Sequence, residues 1–261
     1  MPFLIDVVPA FADNYIYLIG DTDLGLAMVV DPGDADAVKR ALKKRDWHLT
    51  LILNTHHHND HIGGNAMLKQ AYGAAVIGPH AERAKIGNLD RAVQEGDTVT
   101  FSDLRGHVIA VPGHTSGHIA FHFPGLPALF CGDALFSLGC GRLFEGTATE
   151  MWQSLQKIRA LPPETDIYCG HEYTEHFARF ALMLEKDSVP LLQKLRAVKT
   201  LRLAGKPTLP ARLAEEIRLN PFLRVDQPDF QQTLVKHGFP VQGADPAAVF
   251  AAIRAAKDRF Q

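Results

Sequence analysis

Cysteine, excess charge of either sign and long apolar runs are all scarce in this chain of 261 residues. The three cysteines, Cys131, Cys140 and Cys169, are an odd number at spacings that fit neither a disulfide framework nor a zinc ribbon. They are expected to pack as small buried hydrophobes, and a reducing cytoplasm is the expected compartment. The formal net charge of -2 leaves no basic footprint for nucleic acid and no acidic tail. No apolar run reaches the roughly 18 residues that suggest a membrane span. The opening MPFLIDVVPAFADNYIYLIG has neither the charged n-region nor the long h-region of a signal peptide. Repeats and low-complexity segments are missing as well, and with no coiled coil and no obvious apolar patch a monomer is expected.

What remains is a chain whose 46% apolar residues suffice for one large domain, or a main domain with an appendage. Its first two-thirds read as short strands between Gly/Pro turns, among them FLIDVVPA, NYIYLIG, LAMVVD, LTLILNT, AAVIG, TVTF, HVIAVPG, HIAFHFP, ALFCGD and DIYCGH. Helical spacing interrupts them in ADAVKRALKKR, NAMLKQAYG and ATEMWQSLQKIRAL. Strands grouped with helices between them predict an α/β layered domain. From Tyr173 onward the strand signals stop and helical patterns follow to the end. The expected organisation is a catalytic domain over 1–172 and a small all-helical, substrate-binding domain over 173–261.

The stretch NTHHHNDHIGG, residues 54 to 64, places four histidines and an aspartate between His56 and His61. Each imidazole carries two nitrogens that want partners, which makes the stretch a poor core and a good metal loop. If the backbone stays extended past LTLIL, alternate residues share a face. His56 and His58 then point one way, His57 and Asn59 the other, and Asp60 and His61 follow at a turn. Three further candidates end strands in the same manner: His114 in VIAVPGHTSGH, Asp133 in ALFCGD and His171 in DIYCGH. Taken singly, a polar residue after a strand and a glycine is more often a turn. Together, five histidines and two aspartates are too many for one catalytic zinc, which takes about three protein ligands. They fit two ions with three private ligands each and one shared carboxylate, an arrangement suited to hydrolysis.

THHHNDHIGG resembles the T-H-x-H-x-D-H motif of the metallo-β-lactamase superfamily, and VPGHTSGH, CGDALF and CGHEYT resemble its later ligand motifs in order. Within it the chain is similar to the glyoxalase II (hydroxyacylglutathione hydrolase) family. FADNYIYLI, GCGRLFEGT after Asp133, NPFLR at 220–224 and the terminal RAAKDRF carry that similarity. The resemblance implies an αββα sandwich with a C-terminal helical domain. It implies His56, His58 and His114 on one ion, Asp60, His61 and His171 on the other, and Asp133 bridging them. Zinc is expected first, with iron or manganese acceptable to the same donors.

The implied reaction is hydrolysis of S-D-lactoylglutathione by a metal-bound hydroxide, with Asp60 and Asp133 as the catalytic carboxylates and no serine or cysteine nucleophile. Implied glutathione contacts are Arg142, Phe144, Tyr173, Arg254 and Lys257, Phe144 standing where relatives carry tyrosine. Arg254 and Lys257 are spaced i, i+3 and share one helix face; without the resemblance such a pair reads as a solvated face. His118 is a candidate to support a ligand. The alternative within the superfamily is a mononuclear-iron persulfide dioxygenase, which needs neither seven ligands nor the long helical tail. A binding module that had lost its ligands would not keep all seven positions filled.

Overall fold

The computed structural model describes residues 2–241 and 243–260. In chain order its elements begin with β1 (Phe3–Ala10), β2 (Asn14–Asp21), β3 (Leu26–Val30), α1 (Ala35–Arg45), β4 (His48–Leu53), α2 (Asn59–Ile62) and α3 (Asn65–Tyr72). They continue with β5 (Ala75–Pro79), α4 (Arg83–Ile86), β6 (Arg91–Val93), β7 (Thr98–Phe101), β8 (Leu104–Ala110), β9 (Ile119–Phe123) and β10 (Ala128–Gly132). Then come β11 (Leu135–Phe136), β12 (Gly139–Cys140), α5 (Ala148–Arg159), β13 (Asp166–Cys169), α6 (Thr174–Leu184) and α7 (Val189–Leu203). The last are β14 (Ala211–Arg212), α8 (Leu213–Leu219), α9 (Pro228–Lys236) and α10 (Pro246–Arg259). Among the described residues no helix is long and apolar enough to cross a membrane.

Two compact units share these elements: Met1–Ala110, Gly117–Gly132 and Tyr168–His171 form the first, and Val111–Ser116, Asp133–Ile167 and Glu172–Gln261 the second. In the first unit a sheet runs β1-β2-β3-β4-β5-β6, antiparallel across β1, β2 and β3 and parallel from β3 to β6. Parallel neighbours need crossovers, and α1 and α3 supply two of them. The alternation of β2 sorts its faces. Ile16 and Leu18 join Val38 and Leu42 of α1 and Leu68 of α3 in one buried cluster with Val29, Ile52 and Val76. Tyr15 and Tyr17 lie on the opposite face. The Tyr17 ring packs 5.6 Å from Phe130 of β10 and 5.1 Å from Tyr168 of β13, so the two sheets meet there. The Tyr17 hydroxyl donates to the Cys169 carbonyl; burial above all, then neighbouring thiols and phenols, pushes its pKa well above the ordinary range, so it stays a neutral donor.

The second sheet runs β13-β10-β9-β8-β7, and β14 adds to β13 through Asp166–Arg212 and Ile167–Ala211 pairs. The helix starts follow from local chemistry. Asp34 caps α1 by accepting from Asp36 and Ala37 N–H, Thr147 and Glu150 form a capping box on α5, and Asp245 caps α10 before Pro246. In the second unit the helices close over phenylalanines: Phe180, Phe222, Phe230 and Phe250 are fully buried. All three cysteines are buried and none is in a disulfide.

Candidate metal centre

In the first unit β4 ends at Leu53, and the residues that follow it are loop until α2 begins at Asn59. The expected strand alternation through His56–Asn59 is therefore not what aims these side chains. The bend at Thr55 and His56, and a single helical turn carrying Asp60 and His61, do so instead. Gly33 permits this placement, because a Cβ there would stand 1.9 Å from the Asp60 carbonyl oxygen. Gly132, at φ 48°, ends β10 where a Cβ would meet Thr55 Oγ1 at 2.2 Å.

Asp60, His61 and His171 offer ligand atoms that all lie within 4.8 Å of one another. His61 Nε2 and His171 Nε2 each stand 3.5 Å from Asp60 Oδ2, and Asn14 Nδ2 donates to the same oxygen at 2.9 Å. His56 Nε2 and His58 Nδ1 are 3.1 Å apart. The opposite nitrogens settle the tautomers. His61 Nδ1 donates to Asp31 Oδ2 at 3.1 Å, and His171 Nδ1 to Asp13 Oδ1 at 2.8 Å. Thr55 Oγ1 gives its proton to Asp31 Oδ2 at 2.7 Å, so it accepts from His56 Nδ1 at 3.0 Å. With Nδ1 protonated, each of these rings presents Nε2 as its lone-pair nitrogen, and for His61 and His171 this is the arrangement in which a carboxylate orients a ligating histidine.

Asp31 and Asp13 give no metal signal of their own in the sequence. An aspartate after a strand, as in VVDPGD, looks like a turn, and FADNYIYLI marks Asp13 only as part of a motif. Asp31 sits at φ 50°, in the left-handed region, and its buried carboxylate also accepts from the Thr55 N–H at 2.8 Å. Spent on Thr55 and the His61 Nδ1 proton, it orients rather than ligates. His118 is fully buried and stacks on His56 at 4.6 Å and 18°. His57 turns away and meets buried Glu82 Oε2 at 2.9 Å, while Glu82 Oε1 accepts from the Gly117 N–H. His57→Ala is expected to leave metal content at the parent level and to lower stability by about 1–3 kcal/mol, the usual cost when a buried acceptor loses a partner. Metal analysis beside denaturant unfolding checks both, and metal loss would place His57 in the donor set.

In the second unit His114 Nε2 lies 3.4 Å from Asp133 Oδ2, and His114 Nδ1 donates to the Arg142 carbonyl at 2.9 Å. The hairpin β11–β12, which follows Asp133, is held from α8. Fully buried Glu216 accepts from Ser137 Oγ at 2.8 Å and from the Leu138 N–H at 2.7 Å. Asn220 donates to the Phe136 and Gly139 carbonyls, both at 3.1 Å. These bonds hold Leu138 at φ 61°, a conformation a leucine rarely adopts; burial raises the Glu216 pKa against the bonds that lower it.

The five expected glutathione contacts also fall in this unit. Phe144, 62% exposed, has its ring 5.2 Å from that of His114, and the Tyr173 ring lies 5.2 Å from Phe136. Arg142 is largely exposed and its Nε is 3.9 Å from Asp258 Oδ1. Arg254 and Lys257 form no solvated face: they are 4% and 7% exposed. Arg254 Nη1 donates to the Cys140 carbonyl and Nη2 to Asp258, and its guanidinium lies over Phe222. Its buried Nε has no hydrogen-bond partner among the described residues.

The donor set fits a divalent metal on its own chemistry. Two ligand atoms on one tetrahedral ion lie about 3.4 Å apart when each is roughly 2.0–2.1 Å from it. The Nε2–Oδ2 separations of 3.4 and 3.5 Å have that value.

The family model described as Metallo-beta-lactamase superfamily matches residues 11–171, and the one described as Hydroxyacylglutathione hydrolase C-terminus matches residues 172–260. A hydroxyacylglutathione hydrolase of Rhodospirillum rubrum is 48% identical over 98% of each chain. The chain belongs to the hydroxyacylglutathione hydrolase family. Among solved structures, ETHE1 from Myxococcus xanthus is 27% identical with a TM-score of 0.64 over the full length of both chains. TTHA1623 in a di-iron-bound form is 29% identical, with a TM-score of 0.53 over 64% of this chain and 92% of that one. The fold is thus the metallo-β-lactamase fold with a helical hydroxyacylglutathione hydrolase tail, and membership in this superfamily implies divalent metal at the His/Asp donors. The tail favours the hydrolase family over the dioxygenase alternative, which does not need it.

Proposed function

We propose that this chain hydrolyses S-D-lactoylglutathione, and related S-2-hydroxyacylglutathione thioesters, to glutathione and the free 2-hydroxy acid, as the second step of methylglyoxal detoxification. The observation that supports this most is the 48% identity to a hydroxyacylglutathione hydrolase over 98% of the chain, helical tail included. The proposed division of labour assigns the metals to residues 1–172 and glutathione to residues 173–261 with Arg142 and Phe144. His56, His58 and His114 would hold one ion, Asp60, His61 and His171 the other, and Asp133 would bridge.

Such ions supply Lewis-acid polarisation of the thioester carbonyl and make hydroxide available near neutral pH. The chain's own residues do the rest. Asp60, steadied by Asn14, stands between His61 and His171 as the group that orients the attacking oxygen. The leaving thiolate is stable enough to depart without a strong general acid, and none is assigned. Arg254 Nε, buried and without a partner among the described residues, and the Lys257 ammonium suit a carboxylate of the glutathione tripeptide. Phe144 offers that tripeptide a ring and no hydroxyl.

Zinc in both positions, a monomeric chain and a cytoplasmic location complete the proposal. Thioester hydrolysis measured beside metal analysis of the same sample tests it. Stoichiometric glutathione and D-lactate with two ions per chain is the expected result. A single iron, with oxygen consumed on a glutathione persulfide, would overturn it.

A further inference from the structure

His176, on the first turn of α6, meets the Lys257 ammonium with a nitrogen acceptor: Lys257 Nζ and His176 Nε2 are 2.6 Å apart. An ammonium only donates, so the imidazole accepts, which makes it neutral with its proton on Nδ1. Around this contact lie rings. Lys257 Nζ stands 4.9 Å from the centroid of Phe177, 5.9 Å from Phe180 and 5.8 Å from Phe260. The His176 ring is itself 5.4 Å from Phe260.

The charged neighbours are lopsided. Lys257 faces Arg254 and Asp258 on its own helix, Arg142 after β12, and the Cys140 thiol on β12; His176 faces Lys257, Arg254 and Arg179. Asp258, the carboxylate in that set, is bonded to Arg254. Arg142, Arg179, Arg254 and Lys257 are four cations against two carboxylates, Asp258 bonded to Arg254 and Glu175 bonded to Arg179, which leaves positive charge in half-apolar surroundings. Burial first, then Arg254 and Arg142, lowers the Lys257 pKa to about 8, and burial first, then Lys257, lowers that of His176. The Cys140 thiol, raised to about 11 by burial, stays neutral here.

We propose that His176 is a positioning residue for the glutathione subsite: its neutral imidazole accepts a hydrogen bond from one ammonium N–H of Lys257 and turns the other two N–H groups toward the substrate carboxylate, and protonation of His176 in acid breaks that pose. This rests on the reading of the chain as a glutathione thioesterase, with Lys257 as a carboxylate contact. The signs follow from the pair. Below the depressed His176 pKa both groups are cationic at contact distance, Lys257 is pushed off, and KM rises as pH falls. Above about 8 Lys257 loses its charge and KM rises again, by at most about tenfold per pH unit for one proton. Between the limbs binding is tightest. The chemical step, remote from this pair, is expected to hold kcat nearly constant relative to these changes.

The test uses metal-loaded protein and three variants. His176→Gln keeps a neutral acceptor that does not titrate; His176→Leu keeps bulk without an acceptor; Lys257→Met removes the ammonium. KM and kcat for S-D-lactoylglutathione, and the Kd of glutathione by calorimetry, are followed across the two limbs. His176→Leu is expected to raise KM and Kd about tenfold, the effect of some 1.4 kcal/mol, with kcat within about twofold of the parent. His176→Gln is expected to match the parent near neutrality and to lack its acid limb. Nitrogen NMR of the parent is expected to show the His176 ring in its Nδ1–H tautomer.

A His176→Leu protein with parental KM and Kd at every pH overturns the inference, as does an acid limb that survives in His176→Gln. Should His176→Leu fail to fold, the Gln variant decides by that limb alone. If Lys257→Met raises KM while His176→Leu does not, the role of His176 falls and the glutathione reading stands. If Lys257→Met also leaves KM unchanged, the carboxylate role of Lys257 falls and takes this inference with it.

Discussion

Asp133→Ala is expected to abolish turnover for practical purposes. Removing a hydrogen-bond partner outside a ligand shell costs roughly 10–100-fold, and Asp133 is proposed as the ligand shared by both ions, so the loss should exceed that range. Its Oδ2 lies 3.4 Å from His114 Nε2, the spacing of two atoms that share a metal. Metal content is expected to fall with activity: both ions are lost, or at least the one on Asp60, His61 and His171. Asp133→Asn serves as the conservative comparison, retaining shape with one ligating oxygen and no charge. Metal analysis and thioester turnover on the same preparation check the result. Two ions and near-parental kcat in Asp133→Ala would rule out a bridging role.

Removing both cations of α10 should be the next largest effect, and it should fall on binding. Arg254 and Lys257 are buried among aromatic rings, so alanine at both would also leave cavities. Arg254→Gln with Lys257→Met keeps most of the volume and deletes the charge. Losing a charge-assisted hydrogen bond costs about 1.5–3 kcal/mol, which is roughly ten- to a hundredfold in affinity. That loss is expected in KM for S-D-lactoylglutathione, provided chemistry is slow relative to substrate dissociation. A small thioester without the glutathione carboxylates should be hydrolysed about as well by variant and parent, with metal content unchanged. Parental KM on the glutathione thioester would show that the pair serves only the packing of the helical tail. Loss of both activities together would point to a folding defect, which circular dichroism separates.

The candidate donors stand out in the sequence because their chemistry is unusual there. Four histidines between positions 56 and 61 are hard to satisfy in one loop without a cation to share their nitrogens. His114, Asp133 and His171, each placed after a strand, gain their meaning from that cluster. The reason for their aim was not readable. Strand alternation predicted the right outward turn of His57 for the wrong cause, since β4 stops at Leu53 and a one-turn helix carries Asp60 and His61. Asp13 and Asp31 stayed hidden because an orienting carboxylate and a turn aspartate look alike until the histidine across the fold is seen. β14 is two residues after Pro210, too short to leave a period. Arg254 and Lys257 show the same limit. Spacing i, i+3 says that they share a face, and nothing local says that Phe177, Phe180, Phe222, Phe260 and His176 are drawn up near it.

The bonds from Glu216 and Asn220 to the β11–β12 hairpin bear on how such a chain can be inherited. The boundary between the two family matches falls at His171 and Glu172, which invites a picture of two interchangeable modules. Yet the buried carboxylate of Glu216 finds Ser137 and Leu138 well upstream of that boundary, and Asn220 finds the carbonyls on either side of them. A recombination event that exchanged the tail alone would strand the Leu138 amide, and a tail transplanted elsewhere would carry a buried acid with no donors. Segment 135–142 and the tail must therefore travel, and drift, as one unit of descent, so variation at Ser137 should be matched by variation at 216 in any lineage where either changes.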